Sequence, residues 1–179
     1  MHRILTSTAL GLALIGACVV SPVTADAASR RVVRPNTEGG TTATAIVARR
    51  GPQGGAAVRG RGVKTDGAGN ATVASAAAVR GPDGATAARA GTTTRNADGS
   101  LQHRSGLTAQ GAKGTLQSSG SASRDADGQA VQSRTTSATS ATTGNSAQTT
   151  TSYNSADGRS RSTTCFDAAG ATIACPARP

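Results

Sequence analysis

The sequence predicts an all-β chain, an open antiparallel meander of about ten short strands. Three observations carry that expectation. A glycine returns at a step close to fifteen, at positions 54, 69, 84, 99, 114, 128, 144, 158 and 170. Each glycine closes a turn-like tetrapeptide. Between the tetrapeptides lie Thr-, Ser-, Ala- and Gln-rich stretches of roughly 8 to 12 residues, and no segment after residue 30 has a helical period with caps.

The turns follow a shared chemistry. A type I turn takes Asn, Asp or Ser first, Pro second and Gly last, and a left-handed Gly after it makes the G1-bulge loop of a hairpin. The first strand, near 43–50, ends at Gly51-Pro52-Gln53-Gly54. The next stretch ends at Asp66-Gly67-Ala68-Gly69, and the one after at Gly81-Pro82-Asp83-Gly84. Asn96-Ala97-Asp98-Gly99 closes the following strand. Then comes the most regular alternation: Leu101, His103, Ser105, Leu107 and Ala109 share one face, Ser100, Gln102, Arg104 and Thr108 the other. Gly111-Ala112-Lys113-Gly114 and Ala141-Thr142-Thr143-Gly144 are weaker turns by composition and are placed by the spacing. Asp125-Ala126-Asp127-Gly128 and Ser155-Ala156-Asp157-Gly158 fit well, and Asp167-Ala168-Ala169-Gly170 closes the series.

The chain divides into four parts. Residues 1–27 read as an export signal, with Arg3, an apolar run from Ala9 to Val20, and the cleavage pattern Ala25-Asp26-Ala27. Ile15-Gly16-Ala17-Cys18 offers the alternative of a lipobox, with the chain lipid-anchored through Cys18. Residues 28–42 are expected to be a flexible N-terminal segment, 43–175 the β-repeat region, and 176–179 a tail. The mature chain is expected to hold no transmembrane span and to be periplasmic or extracellular.

Composition limits the core. Of the 152 residues from 28 to 179, only 14 are Val, Ile, Leu or Phe. Such low-complexity composition lies in the range where chains fail to collapse. A partly or wholly disordered chain with the same turn motifs is therefore the competing structural reading. A solenoid with one rung per glycine step is a third.

The net charge is +10, and 17 of the 19 basic residues are Arg. Seven aspartates lie in the tetrapeptides, and Glu38 is the remaining acid of the mature chain. The strands are thus almost purely basic. Arg80, Arg95, Arg104 and Arg124 are the candidate contacts for a polyanion: lipopolysaccharide, nucleic acid or acidic polysaccharide. Stacking aromatics are missing, so any nucleic-acid attraction is expected to ignore sequence. Spreading charge along strands also blocks edge-to-edge aggregation, and self-association is a further partner class.

Removing the signal leaves Cys165 and Cys175, an even pair bracketing the last turn, and an intrachain bridge is expected. A symmetric four-residue loop at 167–170 would set Cys165 opposite Thr172, so the bridge requires an irregular last strand. No cofactor or metal is expected. Asp125, Asp127 and Asp98 lack the distal Glu of a calcium loop. His103 has no marked nucleophile beside it, and Gly51–Gly62 lacks the Gly-Lys-Ser/Thr of a phosphate loop.

Tyr153-Asn154-Ser155-Ala156-Asp157-Gly158-Arg159 and Phe166-Asp167-Ala168-Ala169-Gly170 resemble the YD repeat of large secreted bacterial repeat proteins. The likeness covers these two short segments alone and is one of turn chemistry. The functional expectation is an exported, non-enzymatic repeat protein with a structural, surface or matrix role. The alternative is a basic exported binder of polyanions.

Overall fold

The computed structural model describes residues 27–176, so residues 1–26 of the expected export signal, Cys18 among them, and residues 177–179 of the expected tail lie outside the described residues. The chain folds as one eleven-stranded antiparallel sheet, with spatial order identical to chain order. The strands are β1 (Ala28–Pro35), β2 (Thr41–Arg50), β3 (Ala56–Thr65), β4 (Ala71–Arg80), β5 (Thr86–Arg95) and β6 (Leu101–Gly111). They continue as β7 (Gly114–Arg124), β8 (Ala130–Ser140), β9 (Ser146–Asn154), β10 (Gly158–Phe166) and β11 (Thr172–Ile173). The sheet is an open meander, with every neighbour joined by a reversal.

The repeating glycines cause these reversals. All nine have positive φ, between 70° and 139°, and no non-glycine residue does so among the described residues. At the well-formed turns two backbone bonds recur. Gly54 N donates to Gly51 O at 3.2 Å, and Gly51 N donates to Gly55 O at 2.7 Å. That is a type I turn closed by a left-handed glycine.

A tenth turn extends the series. Gly39, one repeat step before Gly54, also has positive φ, and Asn36 N donates to Gly40 O at 2.9 Å. Residues 28–42, expected to be flexible, therefore supply β1 and its turn to β2. The repeat begins at Ala28, ahead of residue 43. Glu38 sits in this turn, so each carboxylate among the described residues is a turn residue.

Three hairpins differ from the five-residue loops of the rest, one of them with Ser140 N donating to Asn145 O around the four residues 141–144. Gly111 pairs with Gly114, leaving the two-residue loop Ala112-Lys113. Asn154 pairs with Gly158 around the three-residue loop 155–157.

The sheet has almost no interior. Cys165, at 5% exposure, is the one buried residue among the described residues. Backbone ladders are supplemented by directly opposed hydroxyls: Thr72 with Thr94, Ser118 with Thr136, Thr135 with Thr150, Thr149 with Thr163, and Ser152 with Ser160. Each such cross-strand pair stabilises by roughly 0.2–1 kcal/mol. This explains how a chain poor in large apolar residues holds register. The outer strands carry charge where pairing stops: Arg30, Arg31 and Arg34 on β1, and Arg159 and Arg161 on β10. Charged edges resist addition of further strands.

The Cys165–Cys175 disulfide is present, with Cα atoms 5.2 Å apart. Its neighbourhood differs from the symmetric-loop expectation. Asp167 N donates to Ala171 O, making a five-residue loop, and Cys165 lies opposite Ile173 instead of Thr172. Strand β11 then stops at Ile173, which frees Cys175 to turn back. Closing a loop with a sequence separation of 10 residues should stabilise by about 2–3 kcal/mol in the chain-entropy account. The Cys165→Ala/Cys175→Ala variant is expected to lose that amount in urea unfolding. Its first loss of amide protection should fall at β10–β11. Unchanged stability and unchanged protection there would contradict this role.

Candidate functional site

The registers sort the side chains onto two unlike faces. Partners opposite one another share a face, and alternate residues change face. A loop of five residues between partners six apart preserves the odd–even assignment from β1 through β6, as in Arg50 opposite Ala56. The two-residue loop at 112–113 reverses it, because Gly111 pairs with Gly114. The 141–145 loop reverses it again, with Thr139 opposite Ser146.

One face carries ten arginines. A single transverse row runs Arg31, Ala45, Arg61, Ser75, Gly91, Ser105, Gly120, Arg134, Thr151 and Arg161. The neighbouring row contributes Arg59 and Arg89, so Arg31, Arg59, Arg61 and Arg89 cluster over β1–β5. Arg49, Arg95, Arg124 and Arg159 lie nearer the strand ends. The opposite face, called here the hydroxyl face, has Arg30, Arg34, Arg50, Lys64, Arg80 and Arg104, and its C-terminal half is mostly Ser and Thr.

The four arginines singled out from sequence are divided by this arrangement. Arg95 and Arg124 flank Leu101 in one row of the arginine face. Arg80 and Arg104 belong to the hydroxyl face. Arg31, Arg59, Arg61 and Arg89 were not singled out, because grouping them requires the loop lengths that set face parity.

Arg134 is held in place. Its Nη1 donates to Ser118 Oγ at 3.0 Å and its Nη2 to Ser105 Oγ at 2.8 Å. The side chain crosses Gly120, where an added Cβ would lie 3.3 Å from the guanidinium carbon. A glycine is therefore needed for this reach. His103 is bonded through Nδ1 to the Thr93 hydroxyl directly opposite, at 2.8 Å.

Among the described residues a broad depression lies on each face. On the arginine face a trough of about 1070 Å³ follows Val79, Ala87, Ala109, Leu116 and Ala138 to Cys165 and Ile173. On the hydroxyl face a shallower hollow of about 460 Å³ is bordered by Thr92, Arg104, Ser121, Ser133 and Thr135, with Gly106 in its floor. Arg104 there offers a guanidinium among hydroxyl donors, a setting for anionic or polyhydroxylated groups.

The carboxylates serve the turns. Asp66 Oδ1 accepts from Ala68 N and Asn70 N, and Asp66 Oδ2 accepts from Asn70 Nδ2. The Asn70 side-chain and backbone bonds hold the Asp66 pKa below its ordinary value. The Ser100 side chain and backbone N–H do the same for Asp98. A lowered folded pKa contributes stability above the unfolded value, and that stability is lost as pH falls through the folded one. Acidification below the usual value of 3.8 should therefore loosen the 66–70 and 96–100 turns. Amide exchange at Ala68, Asn70 and Ser100 is expected to quicken there. Exchange that stays constant to the acid limit of folding would contradict the capping role.

These turns also reveal an axial asymmetry. Glu38, Asp66, Asp98, Asp125, Asp127 and Asp157 all lie in the turns at one end of the sheet, because alternate reversals fall on the same end. Arg34, Lys64, Arg95 and Arg124 close the strands beside them, and Lys64 Nζ meets Glu38 Oε1 at 2.6 Å. That acid-bearing end is therefore close to neutral. The other end has Asp83 and Asp167 with Arg49, Arg50, Arg80 and Lys113, and is net basic. Neighbouring turns on the acid-bearing end are linked, with Gly67 N donating to Glu38 O and Ala97 N to Asn70 Oδ1. The structural repeat is thus a two-strand hairpin, twice the glycine spacing.

No family model, curated protein or solved structure matches this chain. Among the described residues no helix is long and apolar enough to cross a membrane.

Proposed function

We propose that this chain is an exported, non-enzymatic repeat protein with a structural, surface or matrix role. The observation that carries the reading is a single-layer sheet in which one residue is buried and both faces are open along ten strand-to-strand steps. Such a plate devotes its chain to presenting surface. The Cys165–Cys175 bridge is compatible with an oxidising compartment. Fractionation of cells producing the protein tests the role. Recovery with the envelope or extracellular matrix is expected. Recovery wholly as free protein in the medium would overturn it.

A second reading, a basic exported binder of polyanions, is supported by the arginine face. Its ten guanidinium groups share a surface without carboxylates away from the strand ends. Arg pairs with phosphate and sulfate oxygens in a bidentate fork. Lipopolysaccharide, nucleic acid and acidic polysaccharide all present such oxygens. Recognition would rest on charge density, with no reading of bases.

A further inference from the structure

The hydroxyl face is unlike the arginine face in one further respect. Across β2–β5 its charges, Arg50, Lys64 and Arg80, stand in the last two residues of their strands. Between them lies an uncharged field of Ile46, Val58, Gly60, Ala74, Ala76 and Ala90. Ile46 and Val58 are 45% and 41% exposed. Arg104 on β6 marks the border of the field.

We propose that a second copy of this chain packs on this field, giving a two-sheet sandwich with both arginine faces outward. The inference goes beyond the proposed role and rests on four observations. First, the isolated sheet buries one residue, whereas stable antiparallel sheets pack one face against a second layer. Second, this face alone can be covered without burying guanidinium groups across the middle of β2–β5, and an unpaired buried charge is strongly destabilising.

Third, the area suffices. At ~4.8 Å between strands and ~3.4 Å per residue, the four ten-residue strands β2–β5 present about 650 Å² on each copy, or about 1,300 Å² in total. Stable interfaces bury about 1,200–2,000 Å² in total, so the field reaches that range without β1 or β6. Small side chains permit close, flat stacking of the kind seen in stacked Ala- and Gly-rich sheets.

Fourth, the unlike ends select an orientation. A two-fold axis in the sheet plane and perpendicular to the strands lays the acid-bearing end of one copy over the basic end of the other. The Asp66 and Asp98 turns then stand over the end that carries Arg50 and Arg80. The opposite arrangement would set the two basic ends together. Strands of the two layers run near-aligned, as in a packed sandwich.

Adjacent residues in the middle of β4 supply the test. Ala76 is on the proposed interface and Ser75 on the arginine face, and both are exposed in the isolated sheet. Lysine at either site imposes a similar local cost. Sedimentation equilibrium of the mature chain at about 1–100 µM is expected to give a dimer. Ser75→Lys should remain dimeric, while Ala76→Lys should raise the dissociation constant by about 100-fold or more. A wild-type monomer with intact β circular dichroism would overturn the proposal. So would equal dissociation by both variants, or by neither. These readouts are independent of cell fractionation and polyanion binding, so this inference and the functional readings fail separately.

Discussion

Gly114→Ala should destabilise the sheet by about 3 kcal/mol, more than the same change at Gly99. Gly114 has φ of 139°, and an added Cβ would overlap the Thr139 carbonyl on β8. The substitution therefore combines an unfavourable backbone conformation with a collision inside the β7–β8 ladder. Gly99 is the matched comparison. Its φ is 86°, and nothing lies within 4 Å of a Cβ built there. Gly99→Ala should cost only the conformational part, about 1–2 kcal/mol. Urea unfolding followed by circular dichroism separates the two. Equal losses would show that Gly114 is not constrained by its neighbour strand.

Replacing Arg31, Arg59, Arg61 and Arg89 with Gln should flatten the salt dependence of binding to duplex DNA, used as a model polyanion. Each phosphate contact contributes about 0.9 to the slope of log K against log salt, so four lost contacts lower it by about 3–4 units. Arg34, Arg50, Arg80 and Arg104, replaced together on the hydroxyl face, should lower it by about 1 unit or less, since few of them would meet the same ligand. Titration between about 50 and 200 mM salt resolves slopes of this size. Equal effects from the two sets would mean that the faces do not act separately. No binding at low salt would remove the polyanion reading and leave the structural role.

The glycines announced the reversals in the sequence because a left-handed residue after a type I turn is chemically distinctive. The same step reaches back to Gly39, and following it would have placed β1 and the Asn36–Gly40 turn. The disulfide was legible from cysteine parity, although its register was not, because the 167–171 loop is one residue longer than the symmetric reading. Face composition was harder. Gly111–Gly114 keeps the glycine spacing of its neighbours yet forms a two-residue loop, and that difference moves the side chains of β7 and β8 to the other parity. The collection of six acids at one end was hidden for a similar reason. Seen linearly, acids recur in turns, and only the alternation of ends separates the Asn96–Gly99 type of turn from the Gly81–Gly84 type.

Register divides this sheet into an arginine face and a hydroxyl face. A slip of one residue would exchange them across a strand. Cross-strand proton contacts in the disulfide-bonded chain from residue 28 onward test this most directly. The expected contacts join Ala45 to Arg61, Arg61 to Ser75, Ser75 to Gly91 and Ser105 to Gly120. Contacts displaced by one residue, such as Arg61 with Ala74 or Ala76, or random-coil shifts throughout β2–β8, would contradict it.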